Sequence, residues 1–563
     1  MQELKDDFVS RRNWLSLVTT ASFGAGLMAL TPKAFGAVKG SELKIEDNSS
    51  GIRTYNIRDF GAKGDGKTLD TSAVQSAIDA CHKDQGGTVI VPAGIFVIGT
   101  IEMKSNVTLH ISAQGTLLGS AEGKQYHAAT AIPLTGDSTL GDGNVGLIFA
   151  VDAQNIIIEG NGTIDGQGSQ FRHPSKDKPS PAGLSSHERP YHLLFYRCDN
   201  LTVRDIFLKN SAYHSVRVIQ CAYVKMLGLH IHGRVIYNND GFHFISSKYV
   251  HIDHCDVESQ DDACALFGSC QYFTISNSSF STRWSVFRFG GGIAKNITVT
   301  NCLIYEVYGC PVKMRCGPDS RFEDISFSDI IMRDVTGPIS IGLGPGRRNS
   351  DHATETPGII RNISFSNIQA TVVKPVQLRD TEYFSQYNPG EVFSCITLNS
   401  FDNTFLENIS FNHVHVTFPG GGTREQGAVR DVPKVAGEYY TMGVPPSYAL
   451  FARNVKGLTL QDVRFDMAQP DQRPAVVLDN VQDAAVASLS LQGSPDAESA
   501  VRLISGQDIL VSAPRLLGKA SVFLSVEGAD NHNIKIDGGD LSKANKTLAL
   551  QNGVDPDAVK LRE

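Results

Sequence analysis

Short strands in which apolar and polar residues alternate recur along most of the chain. The clearest copies are Asn200-Leu-Thr-Val, Tyr223-Val-Lys-Met, Tyr249-Val-His-Ile, Tyr272-Phe-Thr-Ile, Asn296-Ile-Thr-Val, Asp324-Ile-Ser-Phe, Asn362-Ile-Ser-Phe and Asn408-Ile-Ser-Phe. The first four intervals between them are 23, 26, 23 and 24 residues. A period in the twenties is typical of a solenoid, and strands this short, broken by Gly, Asn and Ser, favour β coils over helical ones.

This pattern predicts an all-β fold, a single right-handed parallel β-helix spanning residues 51–540. Longer intervals of 38 and 46 residues predict inserted loops near Gly344–Thr356 and Pro375–Val392 that wall one side of the solenoid. The open end of a solenoid needs a cap. We therefore expect a short N-terminal capping helix that begins after Asp70 and runs through Cys81. Residues 541–563 are left as a C-terminal tail or cap.

The N-terminus indicates an exported protein. Arg11-Arg12 precedes a mildly apolar stretch from Leu15 to Leu30 and small residues at 34–37. This order is typical of a twin-arginine signal, and the stretch is shorter than the ~20 strongly apolar residues that a membrane span needs. We predict a signal segment at residues 1–37, a linker at 38–50, a periplasmic or extracellular location, and no membrane association after cleavage.

Composition narrows the classes of partner. The 563-residue chain is 41% hydrophobic and carries a formal net charge of −8, which argues against a nucleic-acid binder. An acidic substrate remains compatible, because local basic residues can bind one on an acidic protein. The ten cysteines allow either isolated disulfides or buried free thiols, and their spacing does not suggest a zinc site. We expect a monomer.

Three aspartates occupy matching places on neighbouring coils. Asp240 stands before one strand, and Asp261 and Asp262 stand 21 and 22 residues later, about one coil away. Residues one coil apart stack at about 4.8 Å in a parallel sheet, so the carboxylates should cluster and at least one pKa should rise. A protonated acid beside an ionised base is what glycosidic hydrolysis requires. The alternative is that these aspartates only form turns.

Basic residues follow on the next coils. Lys313 and Arg315 should share an outward face, with Arg288 on the coil before them and His243 in the same outward column. Cations beside a carboxylate cluster suit a substrate with its own carboxylates, such as a uronic acid. Solvated surface charge is the alternative for each of them.

Several motifs carry a resemblance to a known family. They are Asp59–Ala62, Asp65-Gly66, Asp70-Thr71, Ile156–Gly166, Lys209–Ser211, Asn239–Gly241 and Gln260–Asp262. In this order they resemble the pectin-lyase-like β-helices, and within them glycoside hydrolase family 28, the polygalacturonases, over roughly residues 51–480.

The resemblance implies inverting hydrolysis without a metal or other cofactor. It implies that Asp261 is the general acid, that Asp240 and Asp262 activate water, and that Lys313 and Arg315 bind the substrate carboxylate. The family's Gly-His-Gly coil is replaced here by Thr282–Ser285, so that Arg283 and Trp284 become candidate substrate-binding residues. A lysine that usually closes the double-aspartate strand is replaced by Phe267.

The function expected from the sequence is therefore a glycoside hydrolase acting on pectic or related uronic-acid polysaccharides. A polysaccharide lyase, a hydrolase of another glycan on the same scaffold and a non-catalytic glycan-binding solenoid are the alternatives. The sugar, its linkage and the choice between internal and terminal cleavage stay open.

Overall fold

A computed structural model of the chain describes residues 53–136, 139–173, 180–185, 188–344, 356–379, 381, 387–401, 404–436 and 439–562. The predicted signal segment and linker lie outside the described residues, as does most of the first predicted loop. Within the described ranges, no helix has the length and apolar character needed to cross a membrane.

The fold is a right-handed parallel β-helix, as predicted, in which each coil contributes strands to three parallel sheets. The strands of sheet A are Thr54–Asn56, Gly87–Val91, Val107–Ile111, Gln154–Glu159, Asp199–Arg204, Ala222–Leu227, Lys248–Asp253, Ser269–Ser276, Ile293–Val307, Arg321–Val335, Ile359–Val372, Leu406–Phe418, Leu450–Met467, Val476–Ala487, Gln507–Ser512, His532–Asp537 and Val559–Arg562. From residue 293 to residue 467 these strands continue into sheet B.

Sheet B contributes the next side of each coil. Its own strands are Asp65–Leu69, Gly94–Ile98, Gly115–Gly119, Thr163–Asp165, Phe207–Lys209, His230–Gly233, Asp256–Ser259, Ser279–Thr282, Ser490–Leu491 and Arg515–Leu516. Sheet C completes the coil, and the first residues of Leu450–Met467 and Val476–Ala487 also belong to it. Its own strands are Ile101–Glu102, Gly146–Val151, Tyr191–Tyr196, Val216–Ile219, Phe242–Ile245, Cys264–Phe267, Ser285–Gly290, Cys310–Cys316, Ile339–Leu343, Ile396–Asn399, Val501–Ile504, Ala520–Glu527 and Ala544–Gln551.

Stacked apolar side chains fill the bore of the β-helix. Along each strand every second residue is buried, and equivalent residues meet in successive coils. Phe327, Phe365 and Phe411 stack face to face with ring centroids 5.1 Å apart. All ten cysteines lie among the described residues, are buried, and form no disulfide. The disulfide alternative is therefore wrong, and the thiols pack as small apolar groups.

The residue that opens each copy of the repeat adopts the left-handed region. Asn200, Asn296 and Asn362 have φ values of 54°, 58° and 57°. Asparagine tolerates this conformation, and its amide bonds to the preceding coil: the side chain of Asn200 donates to Asn155 at 2.8 Å. The repeated asparagine in the sequence thus marks the turn into sheet A.

Helices lie mainly at the first coils and in the loops. The α-helices are Thr71–Lys83, Pro389–Val392, Arg424–Gly427 and Tyr439–Met442, and the 3₁₀ helices are Ile57–Phe60, Gly123–Gln125, Leu140–Asp142, Gly168–Phe171 and Pro556–Ala558. Asp70 stands at the N-cap of Thr71–Lys83, but its carboxylate accepts from the backbone N–H groups of Lys63 and Gly64 rather than from the helix. At the other end, the parallel ladder continues beyond residue 540, through Ala544–Gln551 and Val559–Arg562.

Candidate active site

The three predicted carboxylates lie where two successive coils turn into sheet C. The N–H of Ser215 donates to the carbonyl of Asp240 at 2.9 Å, and the N–H of Gly241 donates to the carbonyl of Asp262 at 3.0 Å. Asp240 and Asp262 are therefore consecutive rungs of one ladder, as the one-coil spacing predicts. Asp261 precedes Asp262 and accepts from the side chain of Asn238 at 3.3 Å.

Burial and mutual repulsion raise the pKa of two of these carboxyl groups. The pKa of Asp261 rises to about 6, first because the group is buried and then because Asp262 is adjacent. The pKa of Asp240 is raised well above its ordinary value by burial and by the charges of Asp261 and Asp262. The cluster therefore retains a proton at a higher pH than an isolated aspartate does, which favours a general acid.

His243 lies in the outward column predicted for it, and its ring contacts protein groups there. It is 4% exposed, its Nδ1 lies 2.9 Å from Asp240 Oδ2, and its Nε2 lies 3.2 Å from Thr139 Oγ1. His214 stacks on it with ring centroids 4.4 Å apart and reaches Asp240 Oδ1 at 3.6 Å. The pKa of both imidazoles is lowered, first by burial, and the charge of Arg217 lowers both further. The two rings form a neutral brace for Asp240.

His214, Asp240 and His243 are also a group whose geometry could hold a metal ion, with ligand atoms within 4.8 Å of one another. The guanidinium of fully buried Arg217 lies beside them, with Nη1 3.3 Å from His214 Nδ1. A fixed cation at this distance disfavours a second cation. His243 forms a hydrogen bond with Asp240, and His214 approaches the same carboxylate at 3.6 Å; neither contact requires a metal.

Arg288 and Lys313 occupy adjacent rungs of one outward column of sheet C, which also contains Arg217 and His243. Arg288 Nε lies 3.9 Å from Asp262 Oδ2. Lys313 is 2% exposed, its Nζ lies 4.2 Å from the centroid of the Trp284 ring, and its charge lowers the pKa of Asp261. Arg315, two residues further along the strand, is exposed. The alternation predicted from the sequence thus places these cations next to the carboxylates.

Arg283 contacts two aromatic rings and a carboxylate of the protein. Its guanidinium lies between two rings, 4.0 Å from the Tyr387 centroid and 5.0 Å from the Trp284 centroid. Its Nη1 lies 3.5 Å from Glu391 Oε1, and both side chains are buried. Glu391 in turn completes the capping box of Pro389–Val392. Arg283 therefore anchors the second predicted loop beside Trp284 and Lys313.

Replacing Glu391 with alanine should lower the free energy of unfolding by about 3 kcal/mol, because it leaves the buried Arg283 charge without its carboxylate. Denaturant unfolding followed by circular dichroism measures this. The matched control is Glu407→Ala on exposed Glu407, with an expected change below about 0.5 kcal/mol. Equal effects of the two substitutions would show that Glu391 does not anchor the loop.

A cleft of about 1150 Å³ opens over sheet C next to the carboxylates, and Arg288, Arg315 and Phe267 line it. The segment around Thr139 bounds one end: its carbonyl accepts from Arg217 Nη2 at 2.6 Å. Beyond Thr139, an apolar cluster that includes Leu140, Phe149 and Leu194 covers the outer face of the sheet. A polymer lying along the solenoid therefore meets a wall at the Asp240 end.

The opposite end of the cleft is bounded by residues 431–436 and Thr441, from the insertion that follows residue 418. The amide of Asn399 donates to the carbonyls of Pro433 and Val435 at 3.0 and 2.9 Å. The hydroxyl of Tyr439 is 2.5 Å from the carbonyl of Cys395, which directly precedes the strand of sheet C that contains Asn399. The cleft is therefore a short slot with a wall at each end.

Comparison with known proteins identifies the family to which the chain belongs. The sequence profile of the glycosyl hydrolases family 28 matches residues 81–384, which is more than half of the chain. The chain belongs to this family. It is therefore a glycoside hydrolase, which decides against the lyase and the non-catalytic solenoid.

Individual proteins to which this chain is similar are named as polygalacturonases or a related galacturonosidase. Polygalacturonase-2 of Solanum lycopersicum is 26% identical over 65% of this chain and 76% of its own length. An exo-poly-alpha-D-galacturonosidase of Dickeya chrysanthemi is 28% identical over 43% of each chain, and a probable polygalacturonase of Vitis vinifera is 28% identical over 52% of this chain and 57% of its own. The chain thus spans only about half the length of the last two relatives.

Solved structures agree on the fold. The family 28 exopolygalacturonase of Yersinia enterocolitica superposes with a TM-score of 0.55 at 18% identity, covering 77% of this chain and 79% of its own. The exopolygalacturonase of Thermotoga maritima gives a TM-score of 0.50 at 18% identity over 74% and 92% of the two chains.

Several residues of this family 28 site were missed by sequence reasoning. His214 and Arg217 lie one coil before Asp240. They are separated from it by about one repeat, as Asp240 is from Asp262, so the period of the sequence could have located them. Thr139, Glu391 and the segment around Val435 come from insertions, whose positions the repeat does not encode.

Proposed function

We propose that the protein hydrolyses glycosidic bonds of galacturonan-type pectic polysaccharides and releases units from a chain end. The observation that carries the proposal is the carboxylate cluster next to Arg288 and Lys313, at a slot with a wall at each end. The names of its family 28 relatives, polygalacturonase and exo-poly-alpha-D-galacturonosidase, support the substrate class.

In the proposed reaction Asp261 donates its proton to the glycosidic oxygen as the bond to the anomeric carbon breaks. A water molecule attacks the anomeric carbon from the opposite face. Asp240 and Asp262 orient this water, and one of them accepts its proton. The configuration at that carbon inverts, and no covalent intermediate forms. The hydrogen bond from His243 and the contact with His214 support the role of Asp240, because together they restrict the orientation of its carboxylate.

Substrate recognition is proposed to rest on three cations of different exposure. Lys313 is buried beneath Trp284 and close to Asp261, so it would contact the sugar at the scissile bond. Arg288 and exposed Arg315 line the slot and would bind the next carboxylate. His243 and Arg283 are assigned positioning roles, because their partners are Asp240 and Glu391.

Export is also part of this proposal. A galacturonan polymer is found outside the cell that degrades it, and Arg11-Arg12 with the apolar stretch that follows would direct the folded chain there. Residues 1–37 would then be removed.

The products of digestion test the mode of attack. Wild-type protein acting on polygalacturonate should release mainly short sugars of one or two units from the first minutes, with reducing ends appearing well before viscosity falls. The physical reason is that the walls at Thr139 and Val435 admit a chain end but not a chain that continues in both directions. Mass spectrometry and viscometry of the same samples measure this. A rapid fall in viscosity with a ladder of intermediate oligomers would mean internal cleavage.

A further inference from the structure

Three tyrosines stack on the outer surface of sheet A, away from the cleft over sheet C. Tyr223, Tyr249 and Tyr272 occupy successive coils, with centroid distances of 5.0 and 4.9 Å and ring planes within 11° of parallel. Tyr223 is 56% exposed and Tyr272 is 45% exposed. They form the aromatic ladder, a continuous apolar strip on the surface.

The tyrosines of the aromatic ladder stand at the position that asparagine occupies in neighbouring coils, where φ is positive. The three tyrosines have φ values of 53°, 56° and 60°, in the same column in which Asn200 and Asn296 stand. A bulky residue is strained in the left-handed region, and tyrosine cannot form the amide bonds between coils that asparagine forms here. Stacking stabilises each pair of rings, but it leaves a strip of aromatic surface open to solvent.

A cavity opens where the aromatic ladder ends. The rung after Tyr272 is Asn296, whose side chain is much smaller than a phenol ring, and a space of about 350 Å³ lies there. Tyr272 and Asn296 line it together with Thr298 and Asp324 on the following coils. An aromatic ring next to amide, hydroxyl and carboxylate groups is a combination suited to a pyranose ring, whose C–H face packs on the aromatic ring while its hydroxyls bond outward.

Lysines flank the aromatic ladder on the same face. Lys248 Nζ lies 5.9 Å from the Tyr249 centroid, and Lys225 is exposed two residues after Tyr223. Lys295, one residue before Asn296, pairs with Asp324 at 3.4 Å and with Glu323 at 3.8 Å, so its charge is balanced within the protein. The charges of Lys225 and Lys248 complement a polymer that carries regular carboxylates.

We propose that the aromatic ladder and the cavity beside Tyr272 form an accessory binding site for a chain of uronic-acid sugars. One pyranose ring packs on Tyr272 above Asn296, and the carboxylates of neighbouring sugars lie near Lys248 and Lys225. The identity of the polymer rests on the proposed function. Because sheet A is a different side of the coil from sheet C, the accessory site can hold a polymer while the slot processes a chain end.

Affinity electrophoresis through polygalacturonate tests this site without turnover, using Asp261→Asn protein with galacturonic acid added to occupy the slot. Adding Tyr272→Asn introduces the residue that neighbouring coils have at this position. It should weaken the apparent affinity for polygalacturonate, measured by retardation, about threefold to tenfold, the contribution expected of one aromatic contact. Tyr272→Phe keeps the ring and should be retarded as the parent is.

Equal retardation of the Tyr272→Asn protein and its parent would overturn the accessory site, and so would equal retardation in a neutral galactan. Loss of retardation in both the Asn and the Phe variants would also overturn it, because the ring would not be the contact. The proposed hydrolysis fails by a separate result, namely that wild-type protein releases no reducing ends from polygalacturonate.

Discussion

Asp261→Asn should lower kcat on polygalacturonate by about 10²- to 10⁴-fold, the range that a positioned general acid contributes. An asparagine keeps the shape and the contact with Asn238 but cannot protonate the leaving oxygen. KM should change little, because the cations that bind the substrate remain. Initial rates of reducing-end release measure both constants.

The same substitution should stabilise the folded chain. A loss of activity in a more stable variant cannot result from unfolding. The pKa of Asp261 is raised from 3.8 to about 6, so the folded state binds this proton more tightly than the unfolded state does. Stability therefore falls as pH rises from about 4 to about 6 in the wild type, while the asparagine variant escapes this loss. At pH 7 the variant should be more stable by up to about 3 kcal/mol. A variant that is both inactive and less stable would contradict this account of Asp261.

Lys313→Met should lower kcat/KM on polygalacturonate by about 10²- to 10³-fold, in line with loss of one partner of a buried charge pair between protein and ligand. Methionine keeps an apolar chain under Trp284, so packing is largely retained. The Lys313 charge also lowers the pKa of Asp261, so its removal should raise that pKa. The alkaline limb of the pH–rate profile, near pH 6 in the wild type, should therefore move to higher pH.

Lys456→Met is the control, since Lys456 is exposed on sheet A. It should leave both kcat/KM and the alkaline limb unchanged. An unshifted limb in the Lys313 variant would mean that Lys313 does not act on Asp261, and an unchanged KM would mean that it does not bind the substrate.

The coil register could be predicted from the sequence because the fold itself is periodic. The asparagine or tyrosine that opens each copy marks a left-handed turn, so counting from one opening residue to the next places Asp240 on Asp262 and Arg288 on Lys313. Side-chain alternation then gives the face on which each lies. These are local rules, and the structure follows them.

Contacts between distant segments could not be predicted in this way. Arg283 meets Glu391 across 108 residues, and Thr139 meets His243 across 104. Both contacts depend on insertions that fold back over sheet C, and no repeat specifies their path. For this reason the sequence suggested substrate-binding roles for His243 and Arg283, whereas their surroundings are protein groups. The tyrosines of the aromatic ladder were identified only as marks of the repeat, because a period does not reveal a solvent-exposed stack.

In the proposed reaction, Asp261 protonates the glycosidic oxygen while Asp240 and Asp262 direct water to the opposite face of the anomeric carbon. Proton NMR of the anomeric signals during the first minutes of trigalacturonate digestion tests it most directly. We expect the new reducing end to appear first with the anomeric configuration opposite to that of the cleaved linkage, before mutarotation mixes the two forms. A first product with the original configuration, or one with a carbon–carbon double bond in the sugar ring, would contradict it.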